Sequence, residues 1–211
     1  MACSLGDDGA AIQLTEYQDD VLRELINIGI GNAAGVLNQM VQSHVTLQAP
    51  EIRLIARSEL ADQPSSCGWG RGVAIRIPFG GSFEGVTALI FSQESAATLV
   101  NLLVGESPLD MDMHSLRVGT LQEVGNIVLN GVMGSIANML GEHLDYMPPD
   151  YQEDEVSRVL PEDQDGSGVI IFIRATFRIQ EHLIEGDVLI FFNTSTLREL
   201  VRKIDTKLGA G

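Results

Sequence analysis

Apolar residues recur at helical spacing in two long segments of the chain, and each segment predicts a helix. The first begins at a capping-box signature, Thr15 with Gln18 three residues later, and its apolar positions continue to about Ser43. The second covers roughly Ser115–Leu140. Both are long enough to lay an apolar stripe across a core and to leave the opposite face polar.

Glycines interrupt the first predicted helix at Gly29, Gly31 and Gly35. Each costs about 1 kcal/mol relative to Ala in a helix interior. Either another backbone packs against them, or the helix breaks or kinks near Gly29–Gly31. Gly134 has the same place in the second helix as Gly35 in the first, so we expect the two helices to cross closely at these two residues.

Alternating apolar and polar residues predict strands between the helices. One covers Val45–Ala56, where Pro50 indicates an edge strand or a bend. Gly72–Phe79 and Phe83–Phe91 follow as a hairpin, with its turn at Gly80, Gly81 and Ser82. Ser92 then caps a helix over residues 93–104.

The second half of the chain repeats this order. A strand is predicted within residues 144–156, again around a proline, and Val169–Ile179 with Ile184–Phe192 form a hairpin. Thr194 caps a final helix over Thr196–Leu208. Between them we interpret an acidic stretch as a solvated loop that includes Glu153, Asp154, Glu155, Glu162, Asp163 and Asp165.

Each half thus reads helix–strand–strand–strand–helix. Glu84–Gly85 precedes Leu-Ile-Phe at 89–91, and Glu185–Gly186 precedes the same three residues at 189–191. We therefore predict an internally duplicated α+β unit with a mainly antiparallel sheet packed by helices and a pseudo-twofold axis between the site helices. Residues 1–211 form one domain in this interpretation, with repeats at 14–107 and 108–209.

Polar residues on the first long helix form a candidate site. Asp20, Glu24 and Asn27 stand at i, i+4 and i+7, so they share one helix face, and Pro50 follows Asn27 by 23 residues. Apolar residues between them supply the opposite, buried face. A single E-x-x-N occurs by chance in many helices and would be weak evidence.

The pattern occurs a second time, which makes it much stronger evidence for function. Glu123 and Asn126 repeat the spacing, and Pro149 again follows the Asn by 23 residues. Gly119 stands where the first copy has Asp20, so the second copy lacks that side chain.

Composition narrows the possible partners. The formal net charge of −16 argues against binding nucleic-acid backbones or anionic membrane surfaces. We expect a cytoplasmic protein, because no segment has the pattern of a signal peptide or a membrane span and Cys3 and Cys67 make no disulfide framework. The four histidines have no metal-ligand spacing.

The duplicated motif resembles that of a known family. The pattern Asp/Ser-x3-Glu-x2-Asn-x22-Pro, present twice, is similar to that of the CheC-like chemotaxis phosphatases, within the CheC, CheX and FliY group. The first copy matches in full at Asp20, Glu24, Asn27 and Pro50. The second matches at Glu123, Asn126 and Pro149 and departs from the pattern at Gly119.

The resemblance implies a phosphatase that hydrolyses the aspartyl phosphate of a CheY-type response regulator. It implies that Asn27 and Asn126 each position the attacking water and that Glu24 and Glu123 each contact a lysine of the regulator. Asp20, Pro50 and Pro149, the remaining residues of the motif, would support these four. The chain would bind no cofactor, and Mg²⁺ would belong to the regulator.

Other interpretations remain open. The same helices could hold a regulator without catalysis, as a binding module or scaffold, and a CheD-type deamidase is a possible further partner. A flagellar motor-switch component is disfavoured by the intact E-x-x-N pairs and by the absence of a further C-terminal domain. We expect a monomer, because internal duplication can replace a dimer. If the position of Gly119 tunes docking, the second site is the weaker one; if Glu123 and Asn126 suffice, both sites work.

Overall fold

The computed structural model describes residues 14–40, 44–57, 59, 70–105, 113–161, 168–179 and 181–209. Predictions for Ser43, for the two cysteines and for the acidic residues Glu162, Asp163 and Asp165 lie outside these ranges. Among the residues described, no helix combines the length and apolar character that crossing a membrane requires.

Helices and strands follow one another along the chain in the predicted order. The helices are α1 (Glu16–Met40), α2 (Gln93–Val104), α3 (Met113–Leu140), the single turn α4 (Val156–Val159) and α5 (Thr194–Leu208). The strands are β1 (Val45–Ala56), β2 (Arg71–Gly81), β3 (Gly85–Phe91), β4 (Leu144–Tyr146), β5 (Asp150–Glu155), β6 (Val169–Ile179) and β7 (His182–Phe192).

Within the described ranges seven strands form one antiparallel sheet, in the order β1-β6-β7-β3-β2, and β4 and β5 both pair with the outer side of β2. This confirms the predicted α+β class with a mainly antiparallel sheet. The order is symmetric about the pair formed by β7 and β3. On the two sides of this pair, β7 corresponds to β3, β6 to β2, and the edge strand β1 to the edge strands β4 and β5. Such an order is what the predicted duplication requires, and duplication itself stays a prediction.

All four long helices pack on one face of the sheet. Their apolar stripes and the inward-facing residues of both halves belong to a single core cluster, in which Ile26, Leu99, Val128 and Leu197 represent the four helices. A smaller cluster around Phe172 lies on the opposite face of the sheet. The expectation that both halves share one sheet and one core is therefore confirmed.

The predicted capping box is present at the start of α1. Thr15 N donates to Gln18 Oε1 at 2.9 Å, and Gln18 N donates to Thr15 Oγ1 at 3.2 Å. Gln18 Nε2 also donates to both carboxylate oxygens of Asp205, at 2.9 and 3.0 Å. The first helix of the chain is thereby tied to the last, α5.

Helix α1 runs without a break through its glycines, and only one of the three contacts another backbone. A Cβ on Gly29 would lie 2.6 Å from Gly131 O and from the Cα of Val132, so α1 and α3 cross closely there. A Cβ on Gly35 or Gly134 would meet nothing within 4 Å. The prediction that Gly35 and Gly134 mark the crossing is wrong, because the close approach lies nearly two turns earlier on α1.

Strand β1 confirms the prediction made from Pro50. It forms one edge of the sheet, and its register with β6 shifts between Gln48 and Glu51. Asn38 ties the end of α1 to the start of β1, since its side chain accepts from Val45 N at 2.6 Å and donates to Val45 O at 2.9 Å.

The interpretation of Glu153–Glu155 as a solvated loop is wrong. These residues belong to β5, an exposed edge strand, and two acidic residues of that strand stand opposite basic ones: Arg71 is paired with Glu155 and Arg76 with Asp150. Charged residues on an edge strand discourage further strand pairing, and opposite charges across the pair favour the register.

The remaining differences are small. The region predicted as one strand around a proline divides into β4 and β5. Asn193, rather than Thr194, caps α5, since its Oδ1 accepts from Thr196 N at 2.7 Å. The first hairpin turns at residues 82–84, so β3 begins at Gly85, whereas Ser92 caps α2 as predicted.

Candidate functional site

The first E-x-x-N pair lies on the solvent-facing side of α1. Asp20, Glu24 and Asn27 are all exposed, whereas Leu25 and Ile26 between them are 2% and 0% exposed. The predicted arrangement, with polar residues along the outer ridge of a helix packed on the core, is confirmed for this helix. The side chains are therefore positioned for contact with another molecule.

The surface next to Asn27 is partly apolar, and two of its positions are glycines without a protruding side chain. Ile28 is 37% exposed, and Gly31, one turn after Asn27, has open space where a Cβ would stand. Gly35 has the same open space one further turn along. A partner can thus approach the backbone of α1 closely on the C-terminal side of Asn27.

The second pair, on α3, has a different local environment. Glu123 is exposed and Asn126 is half-buried. Asn130, one turn further along, donates from its Nδ2 to Asn126 Oδ1 at 2.7 Å. The sequence interpretation did not single out Asn130, although an Asn four residues after the motif Asn is a spacing that permits such a contact on a helix.

Gly119 is exposed at the side of α3 and opens towards a cavity. A Cβ there would meet nothing within 4 Å. The apolar cavity, of about 570 Å³, lies between the ends of α1 and α2 and the start of α3, and both Gly119 and Glu123 line it. The second site therefore borders this cavity at the position where a full motif would have an Asp or Ser side chain.

The two motif prolines lie in different elements: one in a strand and the other in a connection between strands. The backbone of Pro50 belongs to β1, at its register shift. Pro149 lies in the connection between β4 and β5, and its carbonyl oxygen accepts from Gln122 Nε2 at 2.9 Å. Gln122 precedes Glu123, so this bond joins the proline segment directly to the second site.

A polar cluster fixes the first turns of α3. Arg117 donates to Gln93 Oε1 on α2 at 2.7 Å and lies 3.8 Å from the Glu153 carboxylate on β5. Tyr151 donates to Glu153, and this hydrogen bond is the main cause that lowers the pKa of Glu153. Burial and the same bond raise the pKa of Tyr151 to about 12. Both residues therefore stay in their ordinary charge states near neutral pH, and α3 stays tied to the sheet.

The site itself contains carboxylates and carboxamides. Within the described ranges, His, Cys, Asp and Glu side chains form no group of three that could hold a metal ion. Exposed Glu can pair with a cation, and Asn can both donate and accept hydrogen bonds. The arrangement suits recognition of a partner that brings its own reactive group.

No family model matches the chain. Among curated proteins, it is 22% identical over 200 residues to the flagellar motor switch phosphatase FliY of Bacillus subtilis, covering 90% of this chain and 50% of FliY. It is 24% identical over 187 residues to the CheY-P phosphatase CheC of the same organism, covering 84% of this chain and 82% of CheC. The chain thus spans about half the length of FliY and most of CheC.

Solved structures share the fold at low sequence identity. Thermotoga maritima FliY superposes with a TM-score of 0.72 at 16% identity, covering 92% of this chain and 98% of that one. The Helicobacter pylori FliM middle domain superposes with a TM-score of 0.66 at 11% identity, covering 90% of this chain and 99% of that one. Borrelia burgdorferi CheX was solved in complex with CheY, BeF3 and Mg²⁺. It superposes with a TM-score of 0.52 at 18% identity, covering 82% of this chain and 98% of that one.

The motif, the fold and the curated relatives agree. The chain is similar to the CheC-like proteins of the CheC, CheX and FliY group, as the resemblance of its duplicated motif implied. Because FliM shares the fold, the fold alone does not separate a phosphatase from other members of this architecture.

Proposed function

We propose that this protein is a phosphatase that hydrolyses the aspartyl phosphate of a CheY-type response regulator. The observation that carries the proposal is the duplicated pair: Glu24 with Asn27 on α1 and Glu123 with Asn126 on α3, all outside the fully buried core. Both helices pack on one sheet, so each pair is presented on a rigid support.

The two asparagines are the proposed catalytic residues. Hydrolysis of an aspartyl phosphate needs a water in line with the bond that breaks, and little covalent help. The water oxygen bonds to phosphorus, the bond to the aspartyl oxygen breaks, and the regulator's carboxylate leaves with the electron pair. A neutral carboxamide from Asn27 or Asn126 can orient that water without adding negative charge beside the phosphoryl group.

The two glutamates are the proposed docking residues. A carboxylate one turn before the Asn can pair with a lysine of the regulator and so fix the register in which the helix lies against it. Glu24 and Glu123 are both exposed and so available for such a pair. Mg²⁺ belongs to the regulator in this scheme, and this chain supplies no ligand to it.

The direct test is the decay of a phosphorylated regulator. CheY-type regulators encoded in the same genome are phosphorylated, and the loss of phosphate is followed with and without this protein. Accelerated decay that Asn27→Ala and Asn126→Ala remove would support the proposal. Binding to a regulator without acceleration, for every regulator tried, would contradict it.

That second outcome describes the alternative function, a non-catalytic binding module. It is favoured by one observation: a FliM chain from Helicobacter pylori that shares this fold was solved in complex with FliG. Measuring binding and decay on the same samples separates the two functions. A CheD-type partner and a monomeric state are further proposals, tested by pull-down with the corresponding protein and by light scattering.

A further inference from the structure

The two asparagines of the motif differ in what holds them. Asn126 Oδ1 accepts a hydrogen bond of 2.7 Å from Asn130 Nδ2, one turn further along α3. The residue one turn after Asn27 is Gly31, which offers no side chain. Asn126 is half-buried and Asn27 is exposed. One carboxamide is therefore fixed by its own helix and the other is not.

Asn130 is poorly explained as a stabilising residue. Its Oδ1 is buried and has no hydrogen-bond partner among the described residues. A buried acceptor without a partner loses its hydration and gains nothing in exchange. Asn is also a weaker helix former than Ala. Residues that lower stability in this way occur preferentially where they serve a function.

We propose that Asn130 is a positioning residue for the second site and sets the orientation of the Asn126 carboxamide before the regulator binds. The inference rests on the proposed phosphatase function. Because Asn130 occupies one lone pair of Asn126 Oδ1, the other lone pair remains for the attacking water and the Nδ2 group remains free to donate. The Asn126 side chain then loses its conformational entropy once, when the protein folds, and not each time a regulator reacts.

A positioning role predicts an effect on kcat and none on KM. Orientation of Asn126 matters in the reacting complex, whereas docking depends on Glu123 and the surrounding surface. Freeing one side chain that was held in place costs roughly three- to tenfold, and that factor should appear in kcat alone.

The kinetic test isolates each site. In an Asn27→Ala background only the second site acts, and Asn130→Ala should lower kcat about three- to tenfold while KM stays the same. The reciprocal variant is Gly31→Asn in an Asn126→Ala background. A Cβ at position 31 has open space in the protein itself, so the new side chain can hold Asn27 and should raise kcat of the first site. Contact of this side chain with the docked regulator would appear separately, as an increase in KM.

A second measurement examines the carboxamides directly, without a regulator. Side-chain NH2 order parameters from NMR should be higher for Asn126 than for Asn27, and Asn130→Ala should reduce that of Asn126. The melting temperature of Asn130→Ala should equal or exceed that of the unmodified protein. A merely structural role would lower the melting temperature and leave the order parameter unchanged.

Several results would overturn the inference. Asn130→Ala with unchanged or increased kcat would do so, as would a change in KM alone. An Asn27→Ala protein without any activity would also do so, since Asn130 would then have no second-site rate to support. Failure of the proposed function is distinguishable, because the unmodified protein itself would then fail to accelerate decay.

Discussion

Gln122 Nε2 lies 2.9 Å from the carbonyl oxygen of Pro149 and donates a hydrogen bond to it. The bond joins the helix that carries Glu123 to the segment that connects β4 and β5. In the first half the residue that precedes Glu24 is Arg23, and its guanidinium pairs instead with Asp19 on the same helix, at 2.7 Å. The two sites therefore share a motif and differ in how the neighbouring segment is attached.

This difference gives a prediction for stability. Gln122→Ala should lower the free energy of unfolding by about 1 kcal/mol, because the half-buried bond to Pro149 is lost. Arg23→Ala is the matched control, and it should cost only about 0.3–0.5 kcal/mol, since its ion pair is exposed and lies within one helix. Urea unfolding measures both values. Equal losses for the two variants would show that the bond to Pro149 contributes no more to the free energy of unfolding than an exposed ion pair does.

The crossing of α1 and α3 predicts opposite effects for two glycines on the same helix. Gly29→Ala should destabilise by about 2 kcal/mol, because the new Cβ would overlap backbone atoms of Gly131 and Val132 that cannot rotate away. Gly35→Ala has open space and should stabilise by about 0.5–1 kcal/mol through helix propensity. Thermal unfolding checks both signs. Stabilisation by Gly29→Ala would mean that the helices are not packed as described.

Position 119 tests whether the missing side chain weakens the second site. In an Asn27→Ala background, Gly119→Ser should lower KM for the phosphorylated regulator, because the exposed position can accept the hydroxyl that the full motif presents. Gly119→Ala is the control, since it adds the same helix propensity without a polar group. If Ser and Ala give the same KM, the first position of the motif has no part in docking.

Asp187 predicts a pH dependence of stability. Its side chain is 3% exposed, 3.4 Å from Arg174, and burial raises its pKa to about 7 despite that cation. Between about pH 4 and 7 the folded protein therefore holds a proton that the unfolded chain has released. Stability should fall as pH rises through this range, by up to about 1.4 kcal/mol per pH unit.

Asp187→Asn should remove this slope, which urea unfolding between pH 5 and 7 would measure. That window avoids the carboxyl groups of Glu142 and Glu153, whose pKa values are lowered by hydrogen bonds to Lys203 and Tyr151, respectively. Their contributions are lost only as the pH falls below about 4.5. The same slope in the Asp187→Asn variant would show that another group is responsible.

Elements whose signal is local could be predicted from the sequence. The capping box at Thr15 and Gln18, the bounds of α2 and the edge position of β1 each follow from residues within a few positions of one another. The exposure of Glu24 and Asn27 likewise follows from one helical period.

Features that depend on contacts between distant segments could not be predicted. Gly29 meets Gly131 because of how two helices cross, and nothing near Gly29 distinguishes it from Gly35. The acidic residues 153–155 are typical of a loop in the sequence, and their place in β5 depends on pairing with the distant strand β2, where Arg71 lies opposite Glu155. At the second site, the bond from Asn130 is local. Its importance appears only beside the buried Oδ1 of that residue, which has no hydrogen-bond partner among the residues described.

The most direct test of the central claim compares four proteins: unmodified, Asn27→Ala, Asn126→Ala and the double variant. The measurement is the decay rate of a phosphorylated CheY-type regulator from the same genome. We expect Asn27→Ala to remove most of the acceleration, Asn126→Ala part of it and the double variant essentially all, with all four proteins folded because neither side chain is part of the core. Full acceleration by a folded double variant would contradict the assignment of both residues.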